Sequence, residues 1–211
     1  MERSYKYLGY FLLLLVPFVF IAFFKTYINQ FPAFENIKHS YIHLHAFIAA
    51  CWVAFIILQP FLIVNKQLVW HRKLGKFTYF FFPVLILSFV PSILKNLNSD
   101  SPRYAFFPIG DGTLLILFYC LAMYYRKKSP IHMRYVIASA TVLLGPTLGR
   151  ILPIYFGFSE IATQNIQFSI IESILISLII FDFRNKKKFN PYFIAIAGWC
   201  IHQSVFYYLF L

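Results

Sequence analysis

The sequence predicts an all-α integral membrane protein, a bundle of seven transmembrane helices, and three observations carry that prediction. Of 211 residues, 60% are hydrophobic and only 12% charged, too few charges to give a soluble domain a polar surface. The mean hydropathy is +0.69, and the apolar residues fall into seven runs of roughly the 20 residues that a bilayer core takes per helix. The connections between runs are short and alternate in basic content, as in a polytopic chain. A single transmembrane domain over residues 1–211 accounts for the whole length.

Arg3 and Lys6 precede an apolar run over 7–24, which ends in Phe23, Phe24 and Lys25 without the small residues of a leader cleavage site. It reads as a retained first helix. The second helix is predicted over 40–64 and the third over 77–94, with a tight basic turn from Trp70 through His71, Arg72 and Lys73 to Lys76 between them. Four more follow over 104–125, 132–152, 161–183 and 191–211. Pro146, with Gly145 and Gly149 beside it, is expected to loosen or kink the outer half of the fifth.

Basic residues set the orientation. Of the 19 Lys and Arg residues, all but Lys25, Lys38, Lys95, Arg103 and Arg150 fall on the N-terminal side of the bilayer or in connections that return to it. That side is the cytoplasm, which places the C-terminus outside. The same placement explains the net charge of +12 without nucleic acid: the expected partner is the lipid bilayer, and any protein partner is another membrane protein or a second copy of the chain. Cys51, Cys120 and Cys200 lie singly in apolar runs, without the spacing of a disulfide framework or a thiolate zinc site.

Ionisable groups inside membrane helices are costly and mark function more often than other positions do. His45 heads a stripe with Ala49, Trp52, Ile56 and Gln59 on the second helix, whereas His39 and His43 sit at its rim. His132 and Arg150, five full turns apart, bound a stripe that includes Tyr135, Ser139 and Pro146. Asn165, Ser169 and Glu172 share a face of the sixth helix, with Ser173 and Ser177 close by, and His202 on the seventh lies at a depth compatible with Glu172.

Three functions fit these residues. Haem b would pair His45 with His202 and His71 with His132, two rings from different helices at equal depth. A non-catalytic transporter or assembly component would instead line a polar pocket with Asp111, Tyr135, Arg150 and Glu172, with His202 facing it; a Glu172–Arg150 ion pair or a Glu172–His202 hydrogen bond is the plainer expectation there. A zinc hydrolase would gather His45, His202 and Asp111 or Glu172 around an activated water. Against zinc, a ceramidase-like enzyme carries a second histidine four residues from its counterpart of His202, where this chain has Gly198 and Phe206.

The outer histidine His45, the turn His71-Arg72-Lys73-Leu74-Gly75-Lys76 followed by Tyr79, and the His132-Met133-Arg134 start of a helix ending in Arg150 together resemble a family of bacterial polytopic membrane proteins that share a domain of unknown function. The resemblance covers roughly residues 45–151. It implies a bacterial inner-membrane location and histidines and arginines that act together.

Overall fold

A computed structural model describes the chain except Met1, Asn36 and Lys38, so Lys38, one of the basic residues assigned to the outside, lies outside the described residues. The elements, in order, are α1 (Leu8–Leu13), α2 (Leu15–Phe24), α3 (Ser40–Val64), α4 (Leu68–Leu87), α5 (Val90–Leu97), α6 (Phe106–Tyr124), α7 (Ser129–Val142), α8 (Leu144–Phe156), α9 (Glu160–Arg184) and α10 (Asn190–Phe210). Among the described residues there is no strand. The fold is all-α.

Six spans are long and apolar enough to cross a membrane: Ser40–Val64, Leu68–Leu97, Pro102–Tyr124, Ser129–Phe156, Glu160–Arg184 and Asn190–Phe210. The predicted first helix is a shorter apolar stretch, Leu8–Phe24. The predicted third helix starts earlier than residue 77. His71, Arg72, Lys73 and Lys76 ride on the first turns of α4 because no proline interrupts this stretch, and long basic side chains can lie along a helix while their charges reach water.

Prolines explain the breaks. A proline has no N–H to donate and its ring crowds the carbonyl four residues earlier. The last residues of α1, α4 and α7 are Leu13, Leu87 and Val142, and each stands four before a proline: Pro17, Pro91 and Pro146. The expected disturbance at Pro146 is therefore present, as a break at Leu143. Hydroxyls occupy the carbonyls at two of these breaks, as hydrocarbon surroundings demand: Ser88 Oγ donates to Leu85 O at 2.5 Å, and Thr147 Oγ1 lies 3.1 Å from Leu143 O and 3.0 Å from Leu144 O.

The chain divides into two compact units, Met1–Pro108 and Ile109–Leu211. In the first, α3 and α4 pack through Trp52 against Phe82 and Phe55 against Phe81, with ring centroids 5.3 and 4.9 Å apart. In the second, the span made by α7 and α8 is the central one: 61% of its apolar window is buried, against 28% for α9 and 22% for α10. Trp199 on α10 is fully buried and donates from Nε1 to Thr141 Oγ1 on α7 at 3.1 Å. α10 also runs close to α6: a Cβ at Gly198 would come within 3.1 Å of Leu114 Cδ2.

Candidate functional site: a polar cluster inside the C-terminal unit

Four helices of the second unit bring polar side chains into one region. Asp111 lies on the first turns of α6, with one carboxylate oxygen against the backbone of α8, where a Cβ on Gly145 would stand 3.0 Å from Oδ2. Its other oxygen, Oδ1, is 3.4 Å from His202 Nε2 on α10. His202 is 5% exposed and is walled by the rings of Trp199 and Phe168, with centroids 5.2 and 5.8 Å away. Arg150, one turn from Pro146 on α8, donates from Nη1 to Pro146 O at 2.8 Å and is attracted electrostatically by Asp111.

α9 completes the region with amides. Gln164 and Gln167 are 6% and 2% exposed, and their Oε1 atoms have no hydrogen-bond partner among the described residues, nor has the buried Thr163 Oγ1. Gln167 Oε1 faces α8 across Gly149, 3.9 Å from the position of a Cβ there. Gly145 and Gly149 are four residues apart, so they clear one face of α8 next to Asp111 and Gln167. Gly112 is buried, yet a Cβ on it would meet nothing within 4 Å.

The other residues predicted to form a site are distributed differently. His45 accompanies Asp111 in no shared unit; it belongs to the first, where its Nδ1 is 2.8 Å from Ser88 Oγ and its ring meets Phe89 at 4.9 Å. Since the Ser88 hydroxyl already donates to Leu85 O, it accepts from His45, which fixes the Nδ1–H tautomer. His71 is half-buried on the first turn of α4, in the same unit. His132 donates from Nδ1 to Ala122 O at 2.8 Å, tying the start of α7 to the end of α6. His45 and His71 thus lie in one unit and His132 and His202 in the other, so each imagined axial pair takes one ring from each.

Tyr135 is buried and stacks on Tyr125, centroids 5.8 Å apart. It precedes Arg150 by about 22 Å of helix at 1.5 Å per residue, at the opposite end of the span from the cluster. Glu172 has no hydrogen bond or ion pair among the described residues and is half-buried at the edge of α9; the acidic neighbour of both His202 and Arg150 is Asp111. The face of α9 bearing Ser169 and Ser173 is exposed, while Gln164, Gln167, Phe168 and Ile171 turn inward. Among the described residues no three His, Cys, Asp or Glu side chains gather closely enough to hold a metal.

Sequence reasoning missed two features. Arg134, counted as one more loop cation, is fully buried and forms a forked ion pair with Asp182: Nε donates to Oδ2 at 2.6 Å and Nη2 to Oδ1 at 2.8 Å, with both side chains at 0% exposure. Its Nη1 donates to Pro130 O at 2.7 Å. The second is the amide pair Gln164 and Gln167, three residues apart on the inward face of α9. The signal available for it was their shared face with Phe168, Ile171 and Leu175, and it was masked because nearly every face of this chain is apolar. Compared with protein-family models, curated proteins and solved structures, the chain matches none.

Proposed function

We propose that this chain is a multi-pass membrane protein that binds a small polar solute within residues 109–211, as the binding site of a carrier or receptor. Unpartnered, deeply buried polar atoms support this: Gln164 Oε1, Gln167 Oε1 and Thr163 Oγ1 lie on α9, and Gln167 Oε1 faces Gly149, the residue before Arg150. A buried acceptor without a donor costs roughly 1–3 kcal/mol, and a dry, purely structural core would be more stable with apolar residues at those positions. A solute or its water fills that deficit. The distribution of Lys and Arg supports a cytoplasmic N-terminus and puts Asp111 and Arg150 in the outer half of the bilayer. The resemblance carried by His45, the His71–Lys76 stretch and the His132–Arg134 start supports a bacterial inner membrane.

The test is access from water. A Cβ at Gly149 makes only an ordinary 3.9 Å contact, so Gly149→Cys fits the site. With Cys51, Cys120 and Cys200 replaced by alanine, a membrane-impermeant methanethiosulfonate should label Gly149→Cys from the outer side, and should leave Leu175→Cys, in the apolar core at 0% exposure, unmodified. No labelling of Gly149→Cys from either side would remove the solute site.

A further inference from the structure

On the reading that Gln164, Gln167 and their neighbours form a solute site, we infer that its ligand carries no net charge and donates several hydrogen bonds, in the chemical class of polyols, amides and small zwitterions. The charged side chains of the site are one carboxylate and one guanidinium. Asp111 Oδ2 lies against Gly145 and its Oδ1 is 3.4 Å from His202 Nε2, while Arg150 Nη1 donates to the carbonyl of Pro146, the residue after Gly145, so an anion would meet the Asp111 carboxylate and a cation the Arg150 guanidinium. What these positions leave unmade is hydrogen bonds: Gln164 Oε1, Gln167 Oε1 and Thr163 Oγ1 are all buried without a hydrogen-bond partner among the described residues, and the two amide oxygens can only accept. An apolar ligand would leave them so, and discrimination against it would be large because unmade buried hydrogen bonds are expensive. A Cβ would be accommodated at Gly149, 3.9 Å from Gln167 Oε1, and at Gly112, where it would meet nothing within 4 Å.

The experiment follows the thermal midpoint of the full chain in lipid nanodiscs with six probes at equal concentration: glycerol, urea and glycine as neutral donors, acetate and inorganic phosphate as anions, methylammonium as a cation. Ionic strength is matched with sodium chloride. Neutral donors are expected to raise the midpoint by about 2–4 °C, with ions giving no shift. The shift should vanish in Gln164→Met and Gln167→Met, while the unliganded midpoint of these variants stays level or rises, since each removes an unpaired amide. Gln164→Leu and Gln167→Leu serve as second variants if either methionine variant fails to fold.

A shift that persists undiminished in the methionine variants is a bulk solvent effect and overturns the inference. A larger shift with acetate or phosphate, lost in Arg150→Gln, overturns the neutral class and leaves the site standing. No shift with any probe, in a protein whose Gly149→Cys is labelled from water, overturns the inference alone; no shift together with no labelling removes the site as well.

Discussion

Arg134 and Asp182 show what a charge does once it is enclosed. Each nitrogen of the guanidinium donates to an acceptor, Nε and Nη2 to the carboxylate and Nη1 to Pro130 O. Removing one member leaves the other charge buried and unpaired, which costs about 3–5 kcal/mol, whereas replacing both with apolar residues of similar volume is close to neutral. Arg134→Met or Asp182→Leu alone should therefore sharply lower the thermal midpoint or the folded yield, and the double variant should recover most of the loss. A double-mutant cycle in detergent checks this; equal losses for single and double variants would mean that the pair does not act as a unit. The pair was hidden in the sequence because Asp182 stands beside Arg184 and Arg134 follows the basic run at 126–128, so both read as loop-edge charges. His202 and Arg150 were legible because isolated ionisable residues in apolar runs announce themselves. Their acidic partner was not, since Asp111 and Glu172 are equally conspicuous and only the packing of α6 against α8 and α10 separates them.

Elements were legible to within a few residues for α3, α9 and α10, where long apolar runs end in Pro, Asn or basic clusters. The breaks were harder. Pro146 signalled one, but Pro60, Pro83 and Pro153 lie inside continuous helices, because neighbouring turns and local adjustment absorb a missing hydrogen bond when packing holds the rod straight. The glycines of α8 give a test at this scale. Alanine is better than glycine in a helix by about 0.8–1 kcal/mol, so Gly149→Ala, whose Cβ meets only Gln167 Oε1 at 3.9 Å, should stabilise by up to about that amount. Gly145→Ala places a Cβ 3.0 Å from Asp111 Oδ2 and must push the carboxylate from its seat beside His202. Overpacking costs about 1–3 kcal/mol, against a helix gain of about 0.8–1 kcal/mol, so the net effect should be a loss of up to about 2 kcal/mol. Thermal midpoints of the two variants, measured side by side, should move in opposite directions, and a gain at Gly145 would show that Asp111 relaxes freely.

At the scale of the whole molecule, the open quantity is the number of crossings, and it is decided by Leu8–Phe24. The six long spans alone would put both ends of the spanning region, Ser40 and Phe210, on the same side; a seventh crossing puts Tyr7 opposite Leu211. At 1.5 Å per residue, Leu8–Phe24 reaches about 25 Å, slightly less than a hydrocarbon core of about 30 Å. Mismatch of that size costs only fractions of a kcal/mol per Å and is relieved by local thinning and by flanking side chains that reach the interface. Lys6, whose Nζ lies 4.6 Å over the Tyr7 ring, and Lys25 stand at its two ends as such anchors. The break at Leu14 does not forbid crossing, because each half keeps helical hydrogen bonds and Gly9 lets α1 sit directly on the Phe61 ring of α3, where a Cβ would come within 3.0 Å. The stretch should therefore cross. A periplasm-active reporter fused after Leu211 should then be active and one placed before Arg3 silent, with residues 126–128 and 184–188 reached only from the cytoplasm. Activity at both termini would reduce the count to six and leave Leu8–Phe24 lying against the first unit without traversing the bilayer. Activity reversed at both ends would overturn the orientation, and with it the assignment of Asp111, Arg150 and the amides of α9 to the outer half.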